Sequence, residues 1–257
     1  MRYVKYSILD RIAFITLDRA EKRNALSFDL VSELKTAFAD AEKDDAVKVI
    51  VLKANGEAFS AGADLEYLQQ LQSFSDEQNF NDSNHLKELF LQIYSLKKVV
   101  IAQIQGHAIA GGCGLAAVCD FSFATPESKF GYTEVKIGFI PAIVMVFLIR
   151  KIGEARSRQL LLSGALITAE QAKKMGIINE IVAKEELDEE VIHFAAQLIV
   201  SNSGYSMGVT KQMMAKVQTL PLEDALTFAA EMNAKARESE DCKRGVSAFV
   251  NKEKISW

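Results

Sequence analysis

A chain of 257 residues, 49% of them hydrophobic and 25% charged, is long enough to bury a substantial core and has the composition of a globular protein. Its net charge of −4 excludes the clustered basic surface that nucleic acid requires, while leaving room for a local basic patch that meets a small phosphorylated ligand. Three cysteines, Cys113, Cys119 and Cys242, are too few and too scattered for a disulfide framework, and the greasiest run, IGFIPAIVMVFLI, falls short of the ~18 residues that a membrane span needs.

The N-terminal MRYVKYSILDRIAFITL interrupts every apolar run with charge, unlike a secretory leader. A cytoplasmic protein with reduced thiols is expected. The same segment predicts two strands around a turn at Asp10–Arg11, from its alternation and β-branched residues. SFDLVSELKTAFADAEKD predicts an amphipathic helix with Ser27 as N-cap. AVKVIVLKA predicts a compact strand, and NGEAFSAGADLEYL a glycine-containing loop entering a helix. Residues 66–97 carry a helical period, with a loop expected near SFSDEQNFNDSN. KKVVIAQIQG predicts another buried strand, followed by a glycine segment, a helix over LAAVCD and a strand over FSFAT. Residues 141–163 predict helix, TAEQAKKMG a short helix stopped by Gly176, and INEIV a last short strand. From about Glu185 the pattern is helical. Strands alternating with helices, then helices alone, predict an α/β core over 1–183 and a C-terminal helical region over 184–257.

Two loops share one design. AFSAGADL (58–65) and GHAIAGGCGLA (106–116) each follow an apolar strand and place small residues before a helix. Small side chains let a ligand approach the backbone, and a helix start leaves free N–H groups and a positive dipole end. Side by side, two such loops can aim two N–H donors at one oxygen. The plainer alternative is a pair of tight strand–helix connections in which glycine serves packing. A dinucleotide loop is disfavoured, because the glycines do not follow G-x-G-x-x-G and lie far from the first βαβ unit.

With RAEKRNALS (19–27), AFSAGADL (58–65), IQGHAIAGGCGLAAVCD (104–120) and SKFGYTEVKIGFIPA (128–142) in this order and spacing, the chain resembles the crotonase family, the enoyl-CoA hydratase/isomerase superfamily. The terminal RGVSAFVNKEKISW is similar to that family's last helix and tail. The resemblance implies an α/β, ClpP-like fold of repeated ββα units in two roughly perpendicular sheets. It implies a homotrimer or homohexamer, whose C-terminal helices cover the active site and contribute to trimerisation. It implies an acyl-CoA thioester substrate and no metal or redox cofactor, coenzyme A being part of the substrate.

Carried over residue by residue, the resemblance makes the backbone N–H groups of Ala63 and Gly111 the two oxyanion-hole donors. Lys22, Arg23 and Ala25, with Ala61, Asp64, Leu65, Tyr132 and Pro141, fall where the family binds coenzyme A and the acyl group. Glu134 matches one of the two glutamates that hydratases use on water and on the α-carbon, and partial burial would raise its pKa toward a useful range. The other glutamate belongs at Gly114, and glycine cannot transfer a proton. One carboxylate suits a 1,3-proton shift, and it can also run hydration alone; Glu66 and Tyr132 are the candidate substitutes. The expected activity is hydration of a 2-enoyl-CoA, with a Δ3,Δ2-enoyl-CoA isomerase and a catalytically weak acyl-CoA binder as alternatives.

The remaining polar residues point nowhere else. His85, His107 and His193 lack the spacing of metal ligands. Ser60, His107 and Asp120 invite a hydrolase reading, but no G-x-S-x-G elbow is present, and Asp120 is expected to cap or pair. Phe139, Ile143 and Phe147 either wall an acyl pocket or fill core, and Phe249, Lys252 and Trp257 either reach coenzyme A or a second subunit or pack locally.

Overall fold

The chain begins as a hairpin because Asp10 and Arg11 both take positive φ, 49° and 67°, the twist that a two-residue turn needs between right-handed strands. The computed structural model describes residues 1–257. Strands β1 (Val4–Leu9) and β2 (Ile12–Leu17) pair antiparallel across that turn. Three ββ pairs follow: β3 (Val49–Ala54) with β4 (Ala58–Ser60), β5 (Val99–Ile104) with β6 (His107–Ile109), and β7 (Phe121–Ala124) with β8 (Lys129–Gly131). The short β9 (Ile167–Thr168) and β10 (Glu180–Ile181) complete the set. The first strand of each pair joins a six-stranded sheet of order β1-β2-β3-β5-β7-β10, and the second joins a four-stranded sheet of order β4-β6-β8-β9. In the smaller sheet β4, β6 and β8 run parallel, so their carboxyl ends emerge side by side.

Helices close both faces of the larger sheet. Helix α1 (Phe28–Lys43) starts where Ser27 Oγ accepts from Leu30 N, and it buries Leu30, Val31, Leu34, Ala37, Phe38 and Ala41, one face at helical spacing. Helix α2 (Leu65–Leu71) follows β4. The loop expected near SFSDEQNFNDSN is instead the first half of a continuous α3 (Asp76–Ser95). Ser75 and Gln78 form a capping box, Gln78 N donating to Ser75 Oγ (3.2 Å) and Ser75 N to Gln78 Oε1 (2.8 Å), and that starts the helix among polar residues.

Helix α4 (Gly111–Val118) begins at Gly111, so Gly111, Gly112 and Gly114 lie within the helix rather than before it. The single helix expected over 141–163 is divided at Gly153 (φ 78°, ψ 165°) into α5 (Ala142–Ile152) and α6 (Glu154–Ser163). Helix α7 (Ala169–Met175) ends at Gly176 as expected. Then come α8 (Leu187–Ser201), α9 (Gly204–Val217), α10 (Leu222–Glu238) and α11 (Glu240–Asn251). No helix is long and apolar enough to cross a membrane.

The period of two in β3 divides its side chains between two cores. Ile50 and Leu52 enter a large cluster with α1, α3 and α4. Val49 and Val51 face the other way, with Ile12, Ile101 and Phe123, onto Leu187, Val191, Ala195 and Ile199 of α8. Burial on both faces explains why these strands read as unbroken apolar runs. Helix α8, within the C-terminal helical region, forms one wall of the sheet's second core. Leu187→Ala should therefore lower global stability by about 3 kcal/mol in a single cooperative urea transition; a separate early transition would mark α8 as an independent unit.

Candidate active site

Three connections leave the adjacent carboxyl ends of β4, β6 and β8, the place where parallel α/β sheets bind ligands. The first runs through Ala61, Gly62 and Ala63. Leu26 N donates to Gly62 O (2.6 Å) and Asp64 N to Leu26 O (3.1 Å), a one-residue parallel bridge of Leu26 with Ala63. A bridge of this kind turns the N–H of the middle residue to the opposite side, and the Ala63 N–H donates to no group of the chain.

The second connection is Ala110–Gly112. Ala110 N donates to Gly131 O at the end of β8 (2.7 Å), and α4 closes its first bond from Gly114 N to Ala110 O (3.0 Å). The Gly111 N–H, in the first turn of α4, is left without an acceptor. Ala110 holds φ 51° and ψ −123°, a region costly for any side chain. The two loops touch backbone to backbone. Gly62 (φ +90°) has no room for a Cβ, which would stand 2.7 Å from Ala110 Cβ, 2.9 Å from Ile109 O and 3.3 Å from the Gly111 nitrogen. The segment is glycine-rich because helix and loop approach this closely.

The third connection carries Glu134, the first residue of a 3-10 turn (Glu134–Ile137) closed by Gly138. Its side chain is buried, and Oε2 has no hydrogen-bond partner. Burial raises its pKa above the ordinary glutamate value, opposed in part by its own backbone N–H. A buried carboxylate held unpaired is costly in a folded protein and marks functional sites.

A polar frame that sequence reasoning missed holds the first loop. Arg19 Nη1 lies 2.7 Å from Asp64 Oδ2, with side chains 12% and 7% exposed, and also donates to Ala25 O (3.1 Å). Asp64 Oδ1 caps α2 at Glu66 N and Tyr67 N. Burial pushes the Asp64 pKa up, but the Arg19 bond and the α2 amides outweigh it, so the value lies below the usual carboxylate range. Asn24, wholly buried at φ 53°, donates to Asn55 O and Ala58 O (2.9 Å each) and accepts from Arg19 N (2.9 Å). Ser60 Oγ donates to Asn24 O (2.8 Å). The available signal was that Arg19 and Asn24 both belong to the RAEKRNALS motif.

The other expected site residues are placed as follows. Ala25 is buried and Ala61 half-buried, its N–H donating to Arg23 O (2.9 Å). Leu65 and Arg23 are exposed, and Pro141 is half-buried before α5. Lys22 pairs with Glu66 at 2.5 Å. That pairing, with Glu66 exposed, ties this candidate acid to the Lys22 turn. Tyr132 is completely buried, its hydroxyl against the Cys113 thiol and its pKa raised far above the ordinary tyrosine value, mainly by burial. It packs the end of β8 and is neither a free acid nor an open contact surface.

Ser60 and His107 do not meet; His107 is exposed and accepts from Lys129 N (3.3 Å). His85 stacks on Phe28 (4.1 Å between centroids), and His193 bonds Gln197 (2.9 Å). Asp120 pairs with Lys211 (2.7 Å) and accepts from Val100 N (2.7 Å), the structural role expected of it. Phe147 is core, and Phe139 is 49% exposed. Trp257 packs back on its own chain, its N–H donating to Val200 O (3.2 Å) and the Arg244 guanidinium lying over its ring.

Comparison with known proteins adds a consistent set of likenesses. A family described as enoyl-CoA hydratase/isomerase matches residues 8–257. A Thermus thermophilus protein, whose name places it among the enoyl-CoA hydratases, is 39% identical over 94% of this chain and 95% of its own. The mitochondrial enoyl-CoA hydratase of Pongo abelii is 34% identical over 96% of this chain and 83% of its own. A crystal structure of an enoyl-CoA hydratase from Shewanella pealeana superposes with a TM-score of 0.93 at 30% identity, covering 99% of this chain and 96% of that one.

Removing the Arg19 guanidinium leaves the Asp64 carboxylate buried without its cation. Arg19→Ala should destabilise the protein by about 3–5 kcal/mol at neutral pH. Because folding lowers the Asp64 pKa, this stabilisation is complete above about pH 4 and fades as pH falls through the folded value. The gap between wild type and variant in urea titrations should therefore narrow in acid; a gap independent of pH would contradict this role.

Proposed function

Since the chain belongs to the enoyl-CoA hydratase/isomerase family, we propose that it hydrates 2-enoyl-CoA thioesters, with Glu134 making both proton transfers of the reaction. The observation that carries this reading is the unpaired, buried Glu134 carboxylate at the end of the strand beside the one that leads to Gly111.

The thioester oxygen accepts hydrogen bonds from Ala63 and Gly111. Glu134 takes a proton from water as the water oxygen bonds to C3. The displaced π electrons move to the thioester oxygen, and the two N–H groups stabilise the enolate; losing one such donor typically costs about 3–4 kcal/mol. Glu134, now a carboxylic acid, returns the proton to C2. The thioester reforms, one water has been consumed, and Glu134 is a carboxylate again. Water adds across the double bond with no net oxidation or reduction, so the chemistry calls for no redox cofactor.

Arg23, exposed on the turn ahead of the first loop, and Lys22, which would exchange its Glu66 partner, are the cations assigned to the phosphates of coenzyme A. Ala25, Ala61, Asp64, Leu65 and Pro141 border the same loops. Exposed apolar side chains support a trimer or hexamer: Ile137 is 65%, Ile140 67%, Leu222 75% and Phe249 86% exposed in the single chain. Light scattering should return three or six subunits, and a monomer would contradict that assembly.

One observation favours a second reading, isomerisation of 3-enoyl-CoA. Gly114 brings no carboxylate; of the candidate substitutes, Glu66 is paired with Lys22 and Tyr132 is completely buried. A single base suffices to move a proton from C2 to C4.

Glu134→Gln should lower activity on either substrate by about 10⁴-fold, because one group serves both proton transfers. Wild-type activity should fall in acid at a pH above the ordinary glutamate pKa, where the base becomes protonated. The raised folded pKa means that Glu134 favours folding below its unfolded pKa and loses that contribution as pH rises through the folded value. The variant should therefore melt higher than wild type at pH 8, with the difference closing near pH 4. Retained activity in Glu134→Gln would refute the assignment.

A further inference from the structure

Gly114 lies one turn into α4, on the same face as Gly111. A side chain there would lean back toward the helix N-terminus, over the turn that presents the Gly111 N–H. That space is already taken. An added Cβ would stand 2.3 Å from Val144 Cγ1, 3.0 Å from Val144 Cβ and 2.9 Å from Phe90 Cε1. Val144 comes from the first turn of α5 and Phe90 from α3, and both are buried. Phe90 is backed in turn by Phe147, with 5.9 Å between ring centroids. None of these side chains offers a hydrogen-bond donor or acceptor.

We propose that Val144, supported by Phe90, is the specificity-determining residue of this site: it stands where a second proton-transfer group would stand and sets how the enolate divides between water addition and proton shift. The inference rests on the acyl-CoA reading above. Hydration needs a water oriented over C3. Glu134 can direct one of its protons, but an apolar wall gives the other side of the water nothing to bond. The competing reaction needs no water. Glu134 takes a proton from C2 of a 3-enoyl-CoA, the electrons pass to the thioester oxygen, and the same proton returns to C4 as the double bond settles between C2 and C3. An apolar wall leaves that sequence untouched. Substrates with a C3–C4 double bond should therefore be accepted alongside 2-enoyl thioesters, and the ratio should depend on residue 144.

The test measures crotonyl-CoA hydration and 3-hexenoyl-CoA isomerisation side by side for wild type, Val144→Thr and Val144→Ala. Thermal melts of Gly114→Ala, Val144→Ala and the double variant accompany it. Val144→Thr keeps the shape and adds one hydroxyl. It should raise the hydration-to-isomerisation ratio about fivefold, the yield of one added hydrogen bond. Val144→Ala should shift the ratio in the same direction by admitting water. Gly114→Ala should lower the melting temperature in the wild type and far less in the Val144→Ala background. A ratio that stays fixed while both rates fall together would overturn the proposal, because a residue that merely packs would act so. Additive melting shifts would overturn it too, since 114 and 144 would then not compete for one space. If coupled melts accompany a wild type inert on both substrates, the acyl-CoA reading fails, and the partition role falls with it.

Discussion

Two backbone N–H groups, on Ala63 and Gly111, are held without an acceptor, and the local structure is arranged to keep them so. A folded chain ordinarily satisfies such donors. Here the Leu26 bridge turns one outward, and the start of α4 leaves the other free. The close approach of Gly62 to Ala110 fixes their relation, and the unfavourable backbone of Ala110 is the cost of that approach. The parallel register of β4, β6 and β8 brings the third element, Glu134, to the same end of the sheet.

Helix α4 is secured at both ends. Its start is tied to β8 through Ala110 N and Gly131 O. At its far end Lys151 Nζ donates to Cys119 O (2.9 Å), a cation where the helix dipole is negative, and burial lowers the lysine's pKa. Asp120, just beyond, is held by Val100 N and Lys211. Lys211 is buried and ion-paired with Asp120, whereas Lys151 is held by a carbonyl oxygen. Glu134 keeps a buried carboxylate oxygen without a partner, and burial raises its pKa.

The central strands β3 and β5 of the larger sheet were legible in the sequence because they are buried on both faces and read as apolar runs. The short strands β4, β6 and β8 were not. Three residues carry no period, and these strands exist only because neighbouring strands pair with them. The helical reach of α3 was hidden by a polar stretch whose decisive feature is a capping box rather than hydrophobicity. The glycine segment suggested a loop on propensity, yet it is helical because tertiary contact with β4 and Gly62 overrides that preference. The positions of Ala63, Gly111 and Glu134 followed from motif order. Tyr132 did not, because spacing cannot tell a side chain facing a pocket from one packed behind a strand. The pairing of Gly114 with Val144, thirty positions apart, is visible only in three dimensions.

The reading of this site as a single carboxylate facing two free N–H groups is tested most directly by a crystal structure with a non-reactive acyl-CoA analogue. The expected result is a thioester oxygen about 2.7–3.1 Å from both the Ala63 and Gly111 nitrogens, with the Glu134 carboxylate against C2 and the Val144 side chain on the acyl carbons. A thioester bound away from those two nitrogens, or a Glu134 turned from C2, would contradict it.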